Sequence, residues 1–195
     1  LDFEMGYIDD FTDIMAMETG FLQHMVEILK KEYSTELEIL KVKLPEVEKI
    51  PAVTFTEAKR LASEKYGTQI KNPYDLEYGA DFVFVTHYPS KKRPFYAMDD
   101  PTDPKVTLSF DLLFRGLEVT TGGQRIHSYT ELMEKIEKRG MDTEGMEQYL
   151  STFKHGMPPH GGLGIGLERM TMQLLEEENV REVSLFPRDM SRLVP

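Results

Sequence analysis

Between Asp81 and Thr121 the chain offers one short β-branched or aromatic run after another: Phe82–Thr86, Phe95–Met98, Val106–Phe114 and Leu117–Thr121. The turns between them carry Pro, Asp and Gly, residues that bend a backbone readily. Such close succession leaves no room for the crossover that parallel strands need, so the runs predict antiparallel pairing. Helical spacing surrounds them. Ile14, Met17, Phe21, Met25, Ile28 and Leu29 recur as one face of a helix running to about Tyr33, with Asp9, Asp10 and Thr12 as cap chemistry. Ser128–Arg139, closed by Gly140, and about Thr143–Lys154, ended by Pro158 and Pro159, predict two more helices. Strands in a block with helices around them point to an α+β fold, an antiparallel β-sheet flanked by helices.

The remaining stretches are less regular. Leu1–Ile8 alternates at period two, with Leu1, Phe3 and Met5 on one face of a strand. A domain seldom opens mid-strand, so the natural protein is expected to extend upstream. Residues 34–80 read as an insertion beside the main sheet. They hold Pro45 and Pro51, a short strand at Ala52–Phe55, and a helix capped by Thr56 and stopped by Gly67. A last helix is expected from about Ile165 to Glu177, and a last strand at Val183–Phe186 before Pro187. With 195 residues, the chain suffices for one core, or for one domain with a small insertion.

Composition narrows the function classes. A net charge of −11 argues against broad nucleic-acid binding, which relies on many cationic contacts to phosphate. The short basic runs Lys30-Lys31, Lys91-Lys92-Arg93 and 135–139 are either local basic surface or solvated faces. Zero cysteines exclude disulfides and thiolate metal sites, and five histidines without tight pairing argue against zinc. No apolar run approaches the length of a membrane span and no leader opens the chain, so a cytosolic protein is expected.

Three clusters carry chemistry. In the run His160–Met170, Gly161, Gly162, Gly164 and Gly166 leave the backbone bare, and Arg169 follows on a predicted helix. Such a run is either a tight turn or a cradle where backbone passes close to a ligand. It is neither a P-loop nor a dinucleotide fingerprint, because Leu167, Glu168 and Arg169 stand where those need Lys-Ser/Thr or a third glycine. Secondly, a two-residue hairpin centred on Phe114 and Arg115 would set Asp111 directly opposite Glu118. Facing carboxylates are either solvated or bridged by a hard cation such as Mg²⁺, with Thr121 as a further oxygen donor. Thirdly, Arg125 follows the bare Gly122-Gly123. It either forms a salt bridge with those acids or forks onto a substrate carboxylate, a contact that would reject the neutral amide.

Gly161-Gly-Leu-Gly-Ile-Gly-Leu-Glu-Arg169 resembles motif 3 of the class II aminoacyl-tRNA synthetases. Phe110–His127, Arg93-Pro-Phe-Tyr96 and Leu185-Phe-Pro-Arg-Asp189 together resemble the aspartyl-tRNA synthetases of the archaeal and eukaryotic type, over nearly the whole chain. The resemblance implies that Gly166, Leu167, Glu168 and Arg169 contact ATP. It implies that Glu118 binds Mg²⁺ and ATP and that Asp111 supports the metal. Arg125 would hold the side-chain carboxylate of L-aspartate. Thr121 falls where the family usually has serine, and its hydroxyl keeps a metal or substrate contact open.

By the same resemblance Leu1–Ile8 is the tail of motif 2, and the chain is the C-terminal part of a catalytic domain. Motif 1 with its dimer interface, most of motif 2 and the N-terminal anticodon-binding domain would lie outside it. The approach to the strand at Phe82 is also shorter than the family leads one to expect. The implied activity is conversion of aspartate and ATP to aspartyl-adenylate, then transfer to tRNA(Asp), by a homodimeric full-length parent; this piece alone is not expected to charge tRNA. The rivals are an asparaginyl enzyme, a tRNA-independent asparagine synthetase-like paralogue, and a non-catalytic binding module.

Overall fold

The antiparallel pairing expected from the sequence holds for most of the sheet. A computed structural model describes residues 1–67 and 79–191. Its sheet contains β1 (Asp2–Gly6), β2 (Ala52–Thr54), β3 (Phe82–Thr86), β4 (Ser109–Phe114), β5 (Leu117–Gln124) and β6 (His160–Ile165). The spatial order is β1-β6-β5-β4-β3-β2, and neighbours run antiparallel except β2 beside β3. Around it lie α1 (Phe11–Glu32), α2 (Ser34–Ile39), α3 (Phe55–Tyr66), α4 (Tyr129–Lys138), α5 (Glu147–Lys154) and α6 (Leu167–Leu175). The arrangement is the α+β fold expected from the sequence.

Alternation decides what each strand face meets. Phe82 and Phe84 of β3, Phe110, Leu112 and Phe114 of β4, and Leu163 and Ile165 of β6 pack with Ile14, Leu22 and Val26 of α1. On the opposite face Val83, Val85 and Leu113 meet Val53, Phe55 and Ala58. Burying each such side chain contributes about 1.5–3 kcal/mol. Since β3 and β4 are covered on both faces, every residue in them is buried. A charged residue there, Asp111, therefore needs a partner. Ile126, Leu132, Ile136, Leu150 and Phe153 make a third cluster under α4 and α5.

Caps largely follow the local chemistry. Asp10 accepts from the Thr12 amide to start α1, and Ser128 accepts from the Glu131 amide to start α4. The α3 cap is Thr54 and not Thr56, since Thr54 lies in the right register to accept from Glu57. Gly67 ends α3 with a left-handed φ of 64°, as its position suggested. Helix α5 starts only at Glu147, after the left-handed Gly145.

Several expected strands are corrected. Phe95–Met98 forms no strand: Ala97 makes an isolated bridge to Arg125, and Pro94 has no amide to extend a ladder. Strand β4 begins at Ser109, Val106 and Thr107 making only isolated bridges. Val183–Phe186 is not a strand either; a 3₁₀ turn spans Val180–Val183, and Leu185 and Phe186 face solvent. Of the region read as an insertion, residues 52–66 supply β2 at the sheet edge and α3 on it, while 68–78, including part of the approach to β3, lie outside the described residues.

Candidate functional site

The β4–β5 connection sets the register of everything on the site face. Arg115 and Gly116 take φ of 46° and 85°, so Phe114 pairs with Leu117 across a two-residue turn. Two left-handed residues match the twist of antiparallel strands, and Arg-Gly permits this better than the Phe114-Arg115 centre expected from the sequence. Further along, the register shifts: Leu113 pairs with Glu118 but Leu112 pairs with Thr120, leaving Val119 as the bulged residue. Asp111 consequently faces Thr121, not Glu118 as expected. In an unbroken strand, residues three apart point to opposite faces. The bulge removes that alternation, so Glu118 and Thr121 share one face. The Thr121 hydroxyl donates 2.9 Å to Asp111 Oδ1, with Glu118 Oε1 at 3.3 Å.

Asp111, at 1% exposure, is compensated by a residue that the sequence alone did not single out as a partner. Arg93 Nη2 donates to Asp111 Oδ1 at 2.6 Å, and the Arg93 guanidinium stacks 3.8 Å from the Tyr88 ring centroid. Glu118 is the more open of the two acids and faces a cleft of about 500 Å³. Arg169 reaches it from the first turn of α6, donating through Nη1 to the Glu118 carbonyl at 3.0 Å and lying 3.4 Å from its carboxylate. Gly166, Glu168, Arg181 and Arg188 also line this cleft, whereas Leu167 is 59% exposed and is not part of its wall. Arg181 escaped the sequence reading, and Arg188 entered it only within Leu185-Phe-Pro-Arg-Asp189 with no role, because nothing in their spacing ties them to β5.

The glycine run is itself strand β6, held between β1 and β5. A Cβ on Gly162 would overlap the Phe3 carbonyl oxygen and the Glu4 carboxyl, and one on Gly161 would come 2.7 Å from the Gly123 carbonyl oxygen. Strand neighbours, therefore, explain the bare backbone at 161 and 162.

A second cleft of about 280 Å³ adjoins the first, Thr121 and Gly164 lining both. Its walls include Asp2, Glu4, Tyr96 and Arg125. Arg125 does not bridge to Asp111 or Glu118. Its Nη2 donates to Glu4 Oε1 at 2.9 Å, and its guanidinium lies 4.7 Å from the Tyr96 centroid. Burial pushes the nearby Tyr149 phenol above its ordinary range, an effect the Arg125 charge partly offsets. A planar cation on an aromatic ring beside carboxylates suits a zwitterion bearing a second carboxylate. Among the described residues no group of three or more acids, histidines or cysteines forms a closed metal site. Glu118 with Thr121 can offer oxygen to a hard cation that takes its other ligands from a phosphate substrate.

Known proteins resemble the chain over its whole length in sequence and in fold. Residues 1–190 match the model for "tRNA synthetases class II (D, K and N)". The chain is 42% identical to the aspartate–tRNA(Asp/Asn) ligase of Aeropyrum pernix over 211 residues, covering 100% of the chain and 48% of that protein. The aspartyl tRNA synthetase from Entamoeba histolytica superposes with a TM-score of 0.91 at 31% identity, over 100% of the chain and 44% of its own. The asparaginyl-tRNA synthetase of the same organism, in complex with asparaginyl-adenylate, gives 0.87 at 28%, over 100% and 48%. The chain thus spans about half the length of the curated relatives it matches.

Proposed function

Since the chain belongs to the class II tRNA synthetases of the D, K and N family, we propose that it is the C-terminal part of a catalytic domain that activates aspartate with ATP and passes the aspartyl group to tRNA(Asp). The observation that carries this is the adjoining pair of clefts, one walled by Glu118 and Arg169, the other by Arg125, meeting at Thr121 and Gly164. ATP occupies the larger, with Gly166, Glu168 and Arg169 beside it, and the amino acid the smaller.

The aspartate α-carboxylate oxygen attacks the α-phosphorus of ATP, the new P–O bond forming as the bond to pyrophosphate breaks. No side chain need be the nucleophile. Arg169 offsets charge on the nucleotide, and Arg125 orients the substrate through its side-chain carboxylate, so catalysis is by positioning and charge stabilisation. Mg²⁺, when bound, neutralises phosphate charge; Glu118 and Thr121 would hold it, with Asp111 behind them under Arg93. Asp2, in the wall of the smaller cleft, adds negative charge where a substrate ammonium enters. The parent acts as a cytoplasmic homodimer. Among the described residues no helix is long and apolar enough to cross a membrane.

Losing one charge-stabilising group of this type costs about 2.7–4 kcal/mol. Arg169→Ala in the full-length protein should thus lower aspartate-dependent ATP–pyrophosphate exchange by about 100-fold or more. Exchange at the unsubstituted rate would rule out the nucleotide assignment. The structural likeness to an asparaginyl enzyme keeps asparagine as the second reading, and exchange with asparagine in preference to aspartate would select it.

A further inference from the structure

The contact between Glu4 and Arg125 joins residues 121 positions apart and stands in the wall of the smaller cleft. A substrate-reading arginine must be charged and also aimed. Tyr96 supports the flat face of the guanidinium, but a ring face leaves rotation within its plane unrestricted. Glu4 removes that freedom by accepting from Nη2, and with five N–H donors the guanidinium still keeps an open edge for a ligand. Glu4 is itself seated. It pairs in register with Gly162, whose missing side chain is what lets the Glu4 carboxyl lie against β6.

We infer that Glu4 is a positioning residue of the amino-acid pocket: it fixes the Arg125 guanidinium so that the open edge meets a side-chain carboxylate, and thereby sets preference for an acid over its amide. A held arginine cannot rotate to relieve the donor-against-donor contact that an amide NH₂ creates. The Glu4 side chain is 57% exposed against 22% for Arg125, so water screens its repulsion of an incoming carboxylate and orientation is the larger effect. The inference rests on the aspartate reading of this pocket.

The test is ATP–pyrophosphate exchange by the full-length protein with L-aspartate and with L-asparagine, in Glu4→Ala and Glu4→Gln. Glu4→Ala should raise the aspartate KM about fivefold, leave the ATP KM unchanged and narrow the aspartate-over-asparagine ratio of kcat/KM by a similar factor. Glu4→Gln keeps the acceptor oxygen and should stay within about twofold of the unsubstituted protein. Unchanged aspartate KM in Glu4→Ala, equal loss for aspartate and ATP, or Glu4→Gln as damaged as Glu4→Ala each overturns the inference. So does a selective loss of asparagine use, which would make Glu4 an amide acceptor. If the unsubstituted protein exchanges with another amino acid and not with aspartate, the aspartate reading fails by itself. Glu4 is then judged by the same KM shift on that amino acid.

Discussion

Asp111 shows how one residue is fixed by what surrounds it. A carboxylate at 1% exposure is tolerable only with a partner, and Arg93, 10% exposed, supplies it at 2.6 Å. Removing Arg93 takes the paired cation from a buried carboxylate, so Arg93→Ala should destabilise the protein by about 3–5 kcal/mol, read as a lowered urea midpoint. Replacing both by apolar residues of similar volume should recover most of that loss; a double variant no more stable than Arg93→Ala would refute the pairing. Much about individual residues was legible in the sequence. Glu118, Thr121, Arg125 and Arg169 were singled out by type and motif, and the structure brings them to two adjoining clefts. The partners were not legible. Arg93 and Glu4 lie 18 and 121 positions from the residues they hold, and no local spacing encodes such a contact.

At the scale of elements, pairing between β1 and β6 rests on the absence of a side chain at 162. Gly162→Ala would drive its Cβ into the Phe3 carbonyl oxygen, a backbone atom that cannot swing away. Overpacking of this kind costs about 1–3 kcal/mol. Amides of residues 2–6 should then exchange hydrogen faster while those of β3 and β4 keep their protection; uniform protection would show that the strands absorb the methyl. Helix α1, α4 and the end of α3 were readable because caps and 3.6-residue periodicity are local. The 95–98 and 183–186 runs misled because strand character in a short apolar run is completed only by a neighbour, and neither run has a full one.

Across the whole molecule, α1 presses one acid into the core. Glu18 has 0% exposure, and neither carboxyl oxygen meets a partner in hydrogen-bond geometry. Burial pushes its pKa from an ordinary 4.5 up to about 7, the Thr120 hydroxyl nearby offsetting a part. The folded state therefore holds a proton that the unfolded chain releases, so stability from this residue is complete below pH 4.5 and is lost as pH rises towards 7. The loss should reach about 3 kcal/mol. Glu18→Gln should match the unsubstituted protein near pH 4.5 and exceed it at pH 8 in urea unfolding; a constant difference at both would disprove the shift. The sequence by itself determined most of the elements, the α+β class and the family, and marked candidate site residues by type and motif, because composition, periodicity and motif are properties of neighbours along the chain. Only the tertiary structure decided that Glu118 and Thr121 share a face, that Asp111 belongs to Arg93 and that Glu4 holds Arg125. One bulged residue reverses a strand's facing, and pairing between distant strands is chosen by the packed sheet as a whole.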